Sequence, residues 1–101
     1  MSSSVVVRYR THPESAVENG RLIEDVYAAL AELAPPGFHY ATFRLDDGAT
    51  FVHVANRDDG AENPLPTLPA FAAFQSGLPQ RCSEPPQVSE ASLLGSYGFM
   101  L

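Results

Sequence analysis

The chain has 101 residues and a formal charge of −6, with 12 acidic side chains against 6 basic ones, all arginine. That length holds one domain, residues 1–101, and the acidic balance excludes a general nucleic-acid binder, whose affinity rests on neutralising phosphates. With 45% apolar and 18% charged residues, the chain is expected to fold rather than stay disordered.

Val5–Arg10 is β-branched and aromatic and reads as a strand. Thr11-His-Pro-Glu14 has the spacing of a capping box, in which the Thr11 hydroxyl caps a free helix N–H and Glu14 reaches back to the Thr11 amide. From Val17, the apolar positions Leu22, Ile23, Val26, Tyr27, Leu30 and Leu33 recur in steps that describe one helix face. Asn19-Gly20 sits awkwardly in this pattern, and Pro35-Pro36-Gly37 ends it. Phe38–Leu45 and Thr50–Arg57 are strands joined at Asp46–Ala49, with Asp47-Gly48 expected as a type I′ turn. Residues 58–66 form a polar loop. Leu68–Gln75 is a short helix with Thr67 as its cap, Leu68, Phe71, Ala72 and Phe74 on its buried side, and Gly77 as its stop. Pro79–Pro86 is a second loop and Val88–Phe99 the last strand.

The order β-α-β-β-α-β makes an α+β, ferredoxin-like domain with a four-stranded antiparallel sheet and two helices on one face. For this mass, the area scaling gives a folded surface of roughly 5,600 Å² against about 15,800 Å² unfolded, a thin core. Cys82 is alone, so no intramolecular disulfide staples it. The N-terminus lacks the basic region of a signal peptide, and no apolar run approaches the ~20 residues of a membrane helix. A soluble, cytoplasmic protein without membrane contacts is expected.

The hairpin register sets Leu45 opposite Thr50. One face then carries Ala41, Phe43, Leu45, Val52 and Val54, and the other Phe38, Tyr40, Thr42, Arg44, Phe51, His53 and Ala55. The first set, with His39, is read as the helix-covered face. The second is read as the open face, too aromatic for water and covered by a second copy of the chain in a two-fold dimer. The alternative is a monomer with an amphipathic open face.

Here the chain resembles the antibiotic biosynthesis monooxygenase-like proteins of the dimeric α+β barrel superfamily. The strand Val5–Arg10, the helix through Leu33, the Tyr40–Val54 hairpin, the Phe71–Phe74 helix and the closing Leu93–Phe99 strand carry the resemblance. It implies a dimeric α+β barrel and, from characterised members, either cofactor-independent oxygenation of aromatic polyketides or haem degradation. The polyketide oxygenases typically use Trp, Tyr, Asn and Arg, and this chain has no Trp. The haem degraders carry an axial His on the second helix, and Leu68–Ser76 contains none.

His53 is the first candidate for chemistry, since imidazole titrates near working pH. It faces Thr42, with Tyr40 diagonal and Arg44 further along. His53 as base and Tyr40 as hydrogen-bond donor form the candidate catalytic pair. Phe38, Thr42, Arg44 and Phe51 form the candidate ligand-binding set, with Arg44 holding an anion. The competing reading pairs His53 and Arg44 with groups across the dimer. His39 is read as structural, opposite Asn56, and His12 as solvated; three scattered histidines make no zinc site. No cofactor is expected. Two functions stand: a cofactor-independent monooxygenase-like protein acting on or binding a small hydrophobic aromatic molecule in a pocket between sheet and dimer partner, or a non-catalytic small-molecule binding or structural dimer.

Overall fold

The computed structural model describes residues 3–99. Strand β1 spans Ser3–Thr11, helix α1 Ala16–Leu33, β2 Phe38–Arg44 and β3 Thr50–Arg57. Helix α2 spans Pro69–Ser76, a single turn α3 Leu78–Arg81, and β4 Cys82–Ala91. The strands form one antiparallel sheet in the order β2-β3-β1-β4. This is an α+β, ferredoxin-like fold. No helix among the described residues is long and apolar enough to cross a membrane.

The β2–β3 register is the expected one: Thr42 pairs with His53 and Arg44 with Phe51, and the Leu45 amide donates to Thr50 O at 2.8 Å. The turn chemistry differs. Gly48 alone in the turn has positive φ (+77°), and its amide donates to Leu45 O. This is a type I turn followed by a left-handed glycine rather than type I′. The Asp47 carboxylate holds it, accepting from the amides of Ala49 and Thr50 and from the Thr50 hydroxyl. Those bonds hold the Asp47 carboxyl down at about 2.

The capping box does not form. The Thr11 hydroxyl donates to Ala49 O instead, and residues 13–15 make a separate 3₁₀ turn before α1. Thr67 does not cap α2 either; its hydroxyl bonds Pro64 O. Ala72 of that helix is exposed. The last strand starts at Cys82, inside the expected loop, and ends at Ala91, so residues 92–99 are irregular. Prolines lack a ladder donor, and here they stand on an edge strand at a bulge. Arg8 pairs with Gln87 and Arg10 with Glu84, so Pro85 and Pro86 together oppose Tyr9.

The two sheet faces are exchanged relative to the sequence reading. Helices α1 and α2 pack on the face bearing Val7, Tyr9, Phe38, Tyr40 and Phe51, where Ile23, Val26, Leu68, Phe74 and Leu78 complete the core. The open face carries Arg8, Ala41, Phe43, Val52 and Val54, and the terminal segment brings the Phe99 ring to 6.3 Å from that of Phe43. Tyr97, in the segment read as the end of the last strand, is fully exposed.

Candidate functional site

A cavity of about 350 Å³ lies between the sheet and α2 within the chain. Its floor is formed by alternate residues of three strands: Val5, Val7 and Tyr9 of β1, Phe38 and Tyr40 of β2, and His53, Ala55 and Arg57 of β3. Phe71, Phe74 and Leu78 form the roof, and Pro86 and Val88 of the edge strand one side. Period-two alternation puts all the strand residues on one face. A pocket lined by aromatic and aliphatic groups with few convergent polar groups is the usual form of a small-molecule site.

His53 is the polar centre of the floor and only 5% exposed. Its Nε2 lies 2.8 Å from the Tyr9 hydroxyl. Its Nδ1 lies 2.9 Å from the Tyr40 hydroxyl and 3.0 Å from Thr42 Oγ1. Thr42 in turn meets the Tyr27 hydroxyl at 2.8 Å. The imidazole also stacks on the Tyr9 ring at 5.3 Å and tilts against Phe74 at 5.7 Å. Burial disfavours the imidazolium and lowers the His53 pKa to about 4, so the ring is neutral at pH 7. Burial likewise raises the Tyr9 and Tyr40 hydroxyls above their ordinary range, so both remain protonated.

Behind Tyr9 the network continues. Asn19 of α1, fully buried, donates from Nδ2 to the Tyr9 hydroxyl at 2.9 Å. Arg81 of α3 donates from Nε to Asn19 Oδ1 at 2.9 Å and from an Nη to Phe74 O at 2.8 Å.

A comparison with protein-family profiles finds no match, and a comparison with curated proteins also finds none. Solved structures do match. A candidate antibiotic biosynthesis monooxygenase from Bacteroides thetaiotaomicron superposes with a TM-score of 0.78 at 14% identity, covering 99% of this chain and 95% of that one. A variant of SnoaB, a cofactor-independent oxygenase from Streptomyces nogalater, gives 0.69 at 18% identity, covering 96% and 97%. A candidate antibiotic biosynthesis monooxygenase from Caulobacter crescentus gives 0.71 at 16%, covering 93% and 91%. The fold is antibiotic biosynthesis monooxygenase-like.

Within that fold the expected site residues divide. His53, Tyr40 and Phe38 meet on the cavity wall. Thr42 supports His53 from behind. Phe51 is core, stacked on Tyr9 at 5.6 Å, and lies outside the cavity lining. Arg44 is exposed at the end of β2, where its Nε donates to Gly48 O and its guanidinium caps the Phe51 ring at 5.9 Å. It clamps the turn and lies outside the cavity lining. The cation in the lining is Arg57, at the far end of β3. The cavity that holds His53 lies between the sheet and the helices of the same chain, while a second concavity of about 580 Å³ lies on the open face beside Ala41, Val54, Leu93 and Phe99. His39 pairs across the ladder with Asn56, but its ring bonds Asp58 at 3.1 Å on the surface. Among the described residues, no cluster of His, Cys, Asp or Glu is placed to hold a metal.

Sequence reasoning missed Tyr9, Asn19 and Arg81. One signal was available for Asn19: a polar residue on the apolar stripe of a helix, one turn before Ile23, is out of place unless it is bonded.

Proposed function

We propose that the chain is a cofactor-independent monooxygenase-like protein that acts on or binds a small hydrophobic aromatic molecule in the cavity over His53. The observation that carries this reading is a neutral, buried imidazole held between two tyrosine hydroxyls on an otherwise aromatic wall. Its likeness in fold to a cofactor-independent oxygenase supports it. The substrate fitting this chemistry is a ring ketone with an acidic CH₂, of the anthrone type. The Tyr40 hydroxyl donates to the ketone oxygen and stabilises the enolate formed when the CH₂ loses a proton. The unprotonated imidazole takes that proton by way of the Tyr9 hydroxyl, which lines the cavity and lies 2.8 Å from its Nε2: Tyr9 passes its own proton to Nε2 and receives the one from the CH₂. The carbanion passes an electron to O₂, a carbon–oxygen bond forms, and the second oxygen leaves as water. R₂CH₂ and O₂ thus give R₂C=O and H₂O.

The test is oxygen uptake with anthrone. Turnover that falls severely in His53→Ala and Tyr40→Phe supports the reading, and turnover unchanged in both removes it. A second reading is binding without turnover. The low His53 pKa favours it, because a group of pKa about 4 is a weak base at pH 7. Saturable binding of anthrone with no oxygen uptake is its signature.

The same reading includes a homodimer through the open sheet face. Phe43 and Leu45 are well exposed there beside Val52 and Val54, and Leu94 and Tyr97 of the terminal segment are bare. The chain exposes 6646 Å², against roughly 5,600 Å² for a compact monomer of this mass. A two-fold partner on that face covers the excess.

A further inference from the structure

The network around His53 runs in one direction, and Arg81 sets that direction. A guanidinium can only donate, so the Asn19 group facing it is the carbonyl oxygen. The Asn19 NH₂ therefore faces Tyr9 and donates to its oxygen. The Tyr9 proton is then free for His53 Nε2, which accepts it. A neutral imidazole accepting at Nε2 carries its proton on Nδ1. That proton is shared between the oxygens of Tyr40 and Thr42, at 2.9 and 3.0 Å. Neither hydroxyl can donate back to a nitrogen that already bears hydrogen. Thr42 and Tyr27 bond each other. Tyr40 is in reach of the same Thr42 oxygen, which Tyr27 and His53 already engage at 2.8 and 3.0 Å, and it lines the cavity, where a ligand oxygen would take its proton.

Resting on the function proposed above, we propose that the cavity selects ligands by a hydrogen-bond acceptor, a carbonyl or enolate oxygen, placed at Tyr40. On this account Asn19 and Arg81 are positioning residues that fix the polarity of the site from outside it. A ligand that places only an N–H donor, or no polar atom, at that point is disfavoured, because a buried donor left unpaired is costly. The Asn19 amide is the switch point. In Asn19→Asp the carboxylate accepts from both neighbours. Tyr9 then donates to Asp, His53 moves its proton to Nε2, and Tyr40 donates to Nδ1, away from the cavity.

The experiment has two arms. The first records two-bond ¹H–¹⁵N correlations of the His53 ring in the ligand-free protein at neutral pH. The expected result is the Nδ1–H tautomer in the natural sequence and the Nε2–H tautomer in Asn19→Asp. An Nε2–H ring in the natural sequence, or a ring that does not change in the variant, overturns the proposal whatever the protein binds. The second arm compares 9,10-anthraquinone with anthracene, rings of one shape with and without acceptors. A preference of roughly tenfold for the quinone is expected, about the 1.4 kcal/mol of one net hydrogen bond, and it should vanish in Asn19→Asp. Equal binding of both rings to the natural protein overturns the proposal. If neither ring binds, the aromatic reading of the cavity falls, and the tautomer spectra still decide the direction of the network.

Discussion

Arg81 Nε and Asn19 Oδ1 meet at 2.9 Å across 62 positions of sequence, tying the single turn α3 to the inner side of α1. Arg81 is 7% exposed, and among the described residues no carboxylate pairs with its guanidinium. Its compensation is the Asn19 oxygen, the Phe74 carbonyl and the face of the Phe74 ring at 5.4 Å. Arg81→Met fills similar space but leaves two buried acceptors without a donor. The expected loss is about 3 kcal/mol, read as a lower denaturant midpoint at unchanged slope. An unchanged midpoint would show that the network contributes no net stability.

His53 makes stability depend on pH. Its folded pKa, about 4, lies below the value near 6.5 of the unfolded chain, so the unfolded state binds the extra proton. The stabilisation is therefore fully present above pH 6.5 and is lost as pH falls from there through 4. The loss is about 3 kcal/mol, an order-of-magnitude figure. Urea midpoints measured from pH 7.5 to 4 should fall accordingly, and His53→Gln should flatten that slope. Asp47 acts lower still: the stability from its depressed carboxyl is present above its ordinary value of 3.8 and is lost as pH falls from there through about 2.

Gly37 ends the α1–β2 connection at φ +72°, with an added Cβ only 2.9 Å from Ala61 Cβ and 3.3 Å from Asp58 Cβ. Both neighbours belong to the loop that bonds back to it, Asp58 N donating to Gly37 O at 2.8 Å. Left-handed backbone and a clash against short side chains add together. Gly37→Ala should lower stability by about 2 kcal/mol, with a thermal midpoint several degrees lower. Gly60→Ala, also at positive φ but with open space around it, isolates the backbone cost alone.

Arg44 and Tyr40 separate the cavity from the turn. Arg44→Ala should leave anthrone affinity within about twofold, because its guanidinium caps Phe51 and Gly48 rather than the cavity. Tyr40→Phe should weaken binding by roughly tenfold, the worth of one net hydrogen bond. Isothermal titration of the two variants against the natural protein decides this, and the opposite order would return the anion site to Arg44.

Phe43 tests the assembly. Light scattering at micromolar concentration should give about twice the 10.9 kDa chain mass. Phe43→Asp sets a charge in the middle of the open face and should shift that value towards the single-chain mass, with the far-ultraviolet dichroism unchanged. A natural chain already at single-chain mass would refute the dimer.

Much of this fold was legible because it rests on local rules. Periodicity marked the strands and the long helix, and Asp47-Gly48 marked a hairpin whose register put His53 beside Thr42 and near Tyr40. The last strand was misplaced because Pro85 and Pro86 look like loop residues, and only an edge position with a bulge lets them pair. Alternation sorted β2 and β3 residues into two sets but could not say which set the helices cover, because both are apolar. The deciding signal was in β1. Arg8 and Arg10 lie on the Val52 side, and Val7 and Tyr9 on the His53 side. That assignment needs the β1–β3 register, a pairing of segments more than forty positions apart that no turn between them specifies.

Length and charge, together with the residues themselves, determined that this acidic chain makes one small α+β layer pair and that His53 and Tyr40 share a sheet face. Only the tertiary structure decided that this face is turned inward. Burial there holds the imidazole neutral, and Tyr9, Asn19 and Arg81 from three separate elements converge behind it. The physical reason is the range of the interactions. Periodicity and turn geometry act over a few residues. Desolvation and a directional hydrogen-bond network exist only once distant segments have packed.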